Sequence, residues 1–345
     1  MPAAPRYRRG RPLRAGAWRG HRARSPRPFQ PQACEPGIDL SSIYVFSPSS
    51  AVRDRAAARR GIARLKALGH EVEVDPDAFS SHQRFAGDDA TRLAAIGRAA
   101  ASGADIALIT RGGYGLTRLL PAIRYKALAR AIERGTHFVG LSDFTALQCA
   151  LLAQAAASTW AGPALGEDFG VEGEPDDIML ACFDDLAQGQ GEGAGWQLPR
   201  AEAREKAFHT EGVLWGGNLS VLCSLLATPW LPQPERGILF LEDVNEHPYR
   251  VERMLTQLLH AGVLARQKAI VLGQFTNYRL VPHDKGFRLQ TVVDWLRTQL
   301  KVPVFTGLPF GHVQTKVLLP VGRTAELAVE GRDALMFWGH GHPHP

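Results

Sequence analysis

The segment FVGLSDFTALQ, residues 138–148, holds a single serine, Ser142, where an apolar run over 137–139 meets a helical pattern over 144–157. A hydroxyl at the first turn of a helix lies at the positive end of the helix dipole, where a developing oxyanion is stabilised. The stretch resembles a nucleophile elbow, but G-x-S-x-G requires glycine at 144 and Phe144 stands there. Ser142 or Asp143 serving only as a helix N-cap is the competing reading. A nucleophilic serine also needs a base, and the base an orienting partner. Glu242 ends the apolar strand pattern at 237–241, where a carboxylate costs desolvation unless paired; capping the next helix is its plainer role, one that Asp243 or Asn245 would fill equally well. His312 follows another strand pattern in VFTGLPFGHVQT, with an ordinary surface loop as its alternative among twelve histidines. RGGYG, 111–115, follows the strand pattern ADIALIT. It lacks both the G-x-G-x-x-G spacing of a dinucleotide site and the Gly-Lys-Ser/Thr of a P-loop. Either it is a plain turn or its backbone donates N–H groups opposite the serine. The terminal HGHPHP lacks the paired or helical spacing of a zinc site and reads as a solvated tail, so no metal is expected.

These residues need a scaffold, and the chain alternates strand and helix from residue 41 onward. SSIYVFSPSS reads as a strand, 53–68 as a helix stopped by Gly69, HEVEV as a strand, and Asp88 or Asp89 as the cap of a helix through 101. ADIALIT and HFVG add further strands. The pattern predicts an α/β fold, a parallel sheet covered by helices on both faces. Residues 166–210 are rich in Gly, Asp and Glu and read as a connection with one helix at 175–186. A second unit follows with strands EGVLW, GILFLED and KAIVLGQF, helices at 218–226, 248–259 and 289–300, and a strand-rich end in VPVFTGL, KVLLPVG, AELAVEG and ALMFW. The expected organisation is a tail at 1–38, a nucleophile domain at 39–165, a connection at 166–210, a domain carrying Glu242 and His312 at 211–339, and a tail at 340–345. In such open sheets, sites form beyond the carboxyl ends of the strands.

The net charge of +6 suggests nucleic acid only until it is located. Residues 1–36 carry nine arginines and one acid, so the remainder is close to neutral at −2. That Arg/Pro/Gly-rich tail has no apolar periodicity and reads as disordered, without the apolar stretch of a secretory signal. No run is long enough for a membrane span. Cys149 and Cys223 sit in apolar helical patterns, Cys34 and Cys182 are scattered, and the cytoplasm is the expected compartment.

Taken together, RGGYGLTRLLP, FVGLSDFTALQ, EGVLWGGNLSVL, GILFLEDVNEHPYRVERML and GLPFGH, in this order over about 43–338, resemble the serine L,D-carboxypeptidase family, the muramoyltetrapeptide carboxypeptidases of murein recycling. The resemblance implies a flavodoxin-like N-terminal sheet, a strand-rich α/β C-terminal domain and an active site between them. It implies Ser142 as nucleophile, Glu242 as orienting acid and His312 as general base, with the backbone N–H groups of Gly113 and Asp143 as the oxyanion hole and no cofactor. The implied substrate is a cytoplasmic murein tetrapeptide, cleaved between diaminopimelate and D-alanine, and relatives suggest a homodimer. Trp215 and Asn218 in LWGGN are expected to line the pocket, with core packing and helix capping as their plainer roles. Two other functions compete. Some family members inactivate peptide-nucleotide antibiotics of the microcin C type, although this chain has little room for extra aromatic loops. The Gly-rich corners could instead cradle an anionic ligand without catalysis. Neither membrane nor nucleic acid is an expected partner.

Overall fold

Alternation in β1 (Ser42–Phe46) sets the layers of the first half. Ile43 and Val45 enter one apolar cluster, and Tyr44 and Phe46 enter the other on the opposite face. The computed structural model describes residues 41–339; the 1–38 tail, Cys34 and the terminal histidine cluster lie outside them. After β1 come α1 (Arg55–Ala67), β2 (Glu71–Val74), α2 (Asp89–Ala101), β3 (Ile106–Ile109), α3 (Tyr125–Glu133), β4 (His137–Gly140), α4 (Thr145–Ala155) and β5 (Thr159–Ala161). Asp54 caps α1 by accepting from Ala57 N at 2.8 Å, and Asp88 caps α2 by accepting from Thr91 N at 2.7 Å. The parallel order β2-β1-β3-β4-β5 is flavodoxin-like, as expected. Its switch point lies between β1 and β3, beside RGGYG.

The chain continues through α5 (Asp177–Ala187), β6 (Gly193–Gln197), β7 (Arg204–Asn218), α6 (Leu219–Ser224), β8 (Ile238–Val244), α7 (Pro248–His260), β9 (Ala269–Thr276), α8 (Leu289–Gln299), β10 (Val304–Phe305), β11 (Leu319–Val321), β12 (Thr324–Gly331) and β13 (Asp333–Phe337). A second sheet runs β10-β9-β8-β7-β12-β13-β6. Strands β7 to β10 are parallel, whereas β12, β13 and β6 are joined by antiparallel pairs. One apolar cluster runs without a break from Phe46, Phe138 and Phe144 of the first half to Trp215, Leu239 and Leu255 of the second.

Two stretches differ from the sequence reading. Residues 193–210 supply β6 and the start of β7. Glycines and exposed charges in GAGWQ and REKAFHT hide the apolar alternation of these strands. KVLLPVG, grouped by sequence with the second half, supplies β11, which pairs antiparallel with β5 of the first sheet. Register along a sheet depends on tertiary contacts, which a local apolar pattern does not carry.

Candidate active site

Ser142 follows β4 with φ of +66°, a left-handed conformation that costs a non-glycine residue about 1–3 kcal/mol. Its side chain makes no capping bond, and neither does the start of α4, so the N-cap reading does not describe it. A sharp, strained strand-to-helix turn is the geometry of a nucleophile elbow even without glycine at 144. The RGGYG loop closes over it. A Cβ on Gly112 would come within 2.5 Å of Ser142 Cβ, so only glycine lets this backbone rest against the serine.

The loop is pinned from two sides. Leu116 N donates to Asp143 Oδ2 at 2.9 Å, and Arg92, fully buried, donates to Gly115 O at 3.0 Å and Pro48 O at 3.3 Å. Burial pushes the Asp143 carboxyl upward in pKa, with the Leu116 N–H partly opposing. Gly113 and Asp143 each follow one of the two residues in contact, so their N–H groups start from adjoining backbone.

The second half contributes from the carboxyl ends of its strands. Asn218 ends β7 and stands in register with Glu242 on β8. The β8–β9 ladder shifts register just after Leu241, an irregularity of the kind that re-aims side chains beside active sites. Glu242 is 0% exposed. Asn218 Nδ2 donates to Glu242 Oε1 at 3.1 Å and to Asp243 Oδ1 at 3.1 Å. His312 Nδ1 lies 2.8 Å from Glu242 Oε2, so the carboxylate selects the tautomer with hydrogen on Nδ1. Burial alone would lower the His312 pKa, but the Glu242 hydrogen bond and charge outweigh it and raise it above 6.5. Burial pushes Asp243 up to about 6, and the charge of Glu242 adds to the rise.

The halves meet at Thr145, one turn after Ser142. Thr145 Oγ1 accepts from Asn218 N at 3.0 Å. A Cβ on Gly217 would fall 2.5 Å from that hydroxyl, and Gly217 has φ of +126°, so glycine is required for β7 to reach α4. A continuous set of contacts thus joins the Ser142 helix to Asn218, Glu242 and His312. Among the described residues no hydrogen bond links Ser142 to His312; such bonds often tighten only when substrate is bound.

Sequence reasoning passed over several residues here. Lys316 and Asp168 form an ion pair of 2.6 Å with both side chains 3% exposed, and Asp168 Oδ2 also accepts from Ala164 N. Arg111 was visible, but only its neighbouring glycines carried a readable conformational demand. Trp215 corrects the pocket expectation. Its ring is 1% exposed and donates to Gln267 Oε1 at 3.0 Å, so it belongs to the core and does not line a cleft. Asn218 is also buried; its Oδ1 caps α6 through Val221 N while Nδ2 holds Glu242. A cavity of about 470 Å³ lined by Thr210, Arg236, Arg266 and Lys268 lies at the amino ends of β8 and β9, away from these groups. Among the described residues, no helix is long and apolar enough to cross a membrane.

Comparison with known proteins places this geometry. Residues 43–162 match the LD-carboxypeptidase N-terminal domain and 211–327 its C-terminal domain. A putative carboxypeptidase of Synechocystis sp. is 31% identical over 87% of this chain and 94% of its own. The crystal structure of a muramoyltetrapeptide carboxypeptidase from Oxalobacter formigenes is similar with TM-score 0.79 and 39% identity, covering 87% of this chain and 99% of that one. MccF in complex with glutamyl sulfamoyl guanosine has TM-score 0.76 at 23% identity over 87% and 96% of the two chains, a likeness of fold.

Proposed function

This chain belongs to the LD-carboxypeptidase family, and we propose that it is a serine L,D-carboxypeptidase releasing the terminal D-alanine of murein tetrapeptides. In this reading it acts in the cytoplasm, as a homodimer, on peptides recycled from the wall. The observation that carries the reading is the Glu242–His312 pair, a buried carboxylate holding Nδ1 so that Nε2 remains to take a proton.

Ser142 Oγ attacks the carbonyl between diaminopimelate and D-alanine while His312 Nε2 removes its proton. Glu242 stabilises the imidazolium that forms. The tetrahedral oxyanion is received by the N–H groups of Gly113 and Asp143, a contribution of about 3 kcal/mol per donor. His312 then protonates the leaving amine of D-alanine. Water, activated by the same imidazole, opens the acyl-enzyme and regenerates the serine. Each role is supported by position. Ser142 sits on a strained elbow, Gly112 lies against it, and Glu242 is bonded to both His312 and Asn218.

The test is D-alanine release from murein tetrapeptide by the wild type and by Ser142→Ala. The alanine protein is expected to fold normally and to lose about 10⁴-fold or more in kcat. Near-normal release by that variant would defeat the assignment. A second reading comes from the Escherichia coli microcin C7 self-immunity protein MccF, 27% identical over 64% of this chain. An aminoacyl sulfamoyl adenosine offered beside the tetrapeptide separates the two, since the proposal expects turnover of the tetrapeptide.

A further inference from the structure

Arg111 is a charged side chain that the mechanism leaves unused, one residue before the backbone that rests on Ser142. It lies at the β1/β3 switch point, where open α/β sheets bind their ligands. Its Nη1 donates to Ala51 O at 3.3 Å, in the loop that follows β1. Among the described residues its Nη2 has no hydrogen-bond partner, although the side chain is only 18% exposed. Its carboxylate neighbour among the described residues, Glu167, stands 3.8 Å from Nε and is 42% exposed, so solvent weakens that pair. The charge of Glu167 also helps to raise the pKa of His312, so its field reaches the proposed base as well as Arg111.

Positive charge there exceeds what Glu167 neutralises. Arg53 and Arg84 are close enough to press on the Arg111 guanidinium, and burial presses the same way, so its pKa falls despite Glu167. The backbone of Arg84 is tied to the same loop, since Ala51 N donates to Arg84 O at 3.0 Å. A half-buried guanidinium with an unused N–H edge, crowded by two others, is a site short of one anion. An exopeptidase must recognise the free end of its substrate, a carboxylate one residue beyond the scissile carbonyl.

We propose that Arg111 anchors the C-terminal carboxylate of the substrate's leaving residue and so makes the enzyme read chain ends. The inference rests on the carboxypeptidase reading above. Anchoring the carboxylate sets the scissile carbonyl against Ser142 from the same loop that supplies the Gly113 N–H. Glu167, opposite, disfavours a second carboxylate and orients Arg111 when no substrate is present.

The experiment compares tetrapeptide ending in D-alanine with the same peptide ending in D-alaninamide, both products followed by mass spectrometry, for wild type, Arg111→Gln and Arg111→Lys. The wild type is expected to favour the acid by about 100-fold or more in kcat/KM, because the amide carries no charge to pair with the free N–H edge of the half-buried guanidinium. In Arg111→Gln that preference should shrink to about threefold by loss on the acid alone, with the lysine variant in between. Because the readout is a ratio within each protein, partial misfolding of a variant cancels. Equal loss on acid and amide, or a wild type that cleaves both alike, overturns the anchoring role and leaves the carboxypeptidase reading standing. Release of D-alanine or its amide from neither peptide overturns the carboxypeptidase reading, and the anchor with it.

Discussion

At the residue scale the decisive balance is at His312, where burial and Glu242 act in opposite directions on one imidazole. Glu242 prevails, so the folded-state pKa lies above 6.5. The stabilisation that this pair gives is therefore complete below 6.5 and is lost as pH rises through the raised value. In the proposed mechanism His312 is the general base and must be neutral, so activity is expected over the pH range in which that stabilisation disappears. Replacing Glu242 with Gln removes the charge and leaves burial, which lowers the pKa. The imidazole titration, followed by NMR of the ring, is expected to move from above 6.5 in the wild type to below it in Glu242→Gln. The same variant should lose about 10³–10⁴-fold in kcat, because an amide no longer holds the Nδ1–H tautomer. A titration that stayed put would mean that some other group sets the His312 pKa.

At the element scale, the proposed site depends on α4 and β7 meeting end to end. Ser142 opens onto α4, Asn218 closes β7, and Thr145 Oγ1 bonds Asn218 N across the junction. Gly217→Ala sets a methyl group 2.5 Å from Thr145 Oγ1 and forces alanine to a φ of +126°. The expected cost is about 2–4 kcal/mol from strain and overpacking, measured by urea unfolding. Activity should fall further than stability does, because the displaced β7 end carries Asn218 and, through it, the orientation of Glu242. Thr145→Ala provides the milder companion: an unsatisfied buried N–H at Asn218 costs about 1–3 kcal/mol without moving backbone. If Gly217→Ala unfolds no earlier than the wild type, the close approach of the two elements is not required.

At the scale of the whole molecule, the elements with strong local signals were legible in the sequence and the contacts between halves were not. The apolar runs of β1, β3, β4 and β8 and the capped helices announce themselves through periodicity, Asp caps and glycine stops, as at Asp88 and Gly69. Ser142, Glu242 and His312, the proposed triad, could be singled out because each ends or follows such an element and sits in a recognisable motif. Nothing local in KVLLPVG says that it will cross to the first sheet as β11, and nothing in Asp168 or Lys316 says that they will pair, because both facts depend on chains meeting after more than a hundred residues. That crossing matters for the site. The segment leaving His312 passes Lys316 before entering the first sheet at Leu319, so the ion pair to Asp168 fixes it against the half that carries Ser142. Burial pushes the Asp168 carboxyl upward in pKa while Lys316 holds it down, so removing the lysine leaves a buried carboxyl without its cation. Lys316→Met is expected to cost about 3–5 kcal/mol and to depress activity at denaturant concentrations that leave the wild type intact. Adding Asp168→Leu to it should recover much of the stability, since an apolar pair of similar volume carries no desolvation cost. Recovery of stability without activity would show that the pair positions His312 as well as holding the halves together. A single-variant cost below about 1 kcal/mol, the range of exposed pairs, would deny it either role.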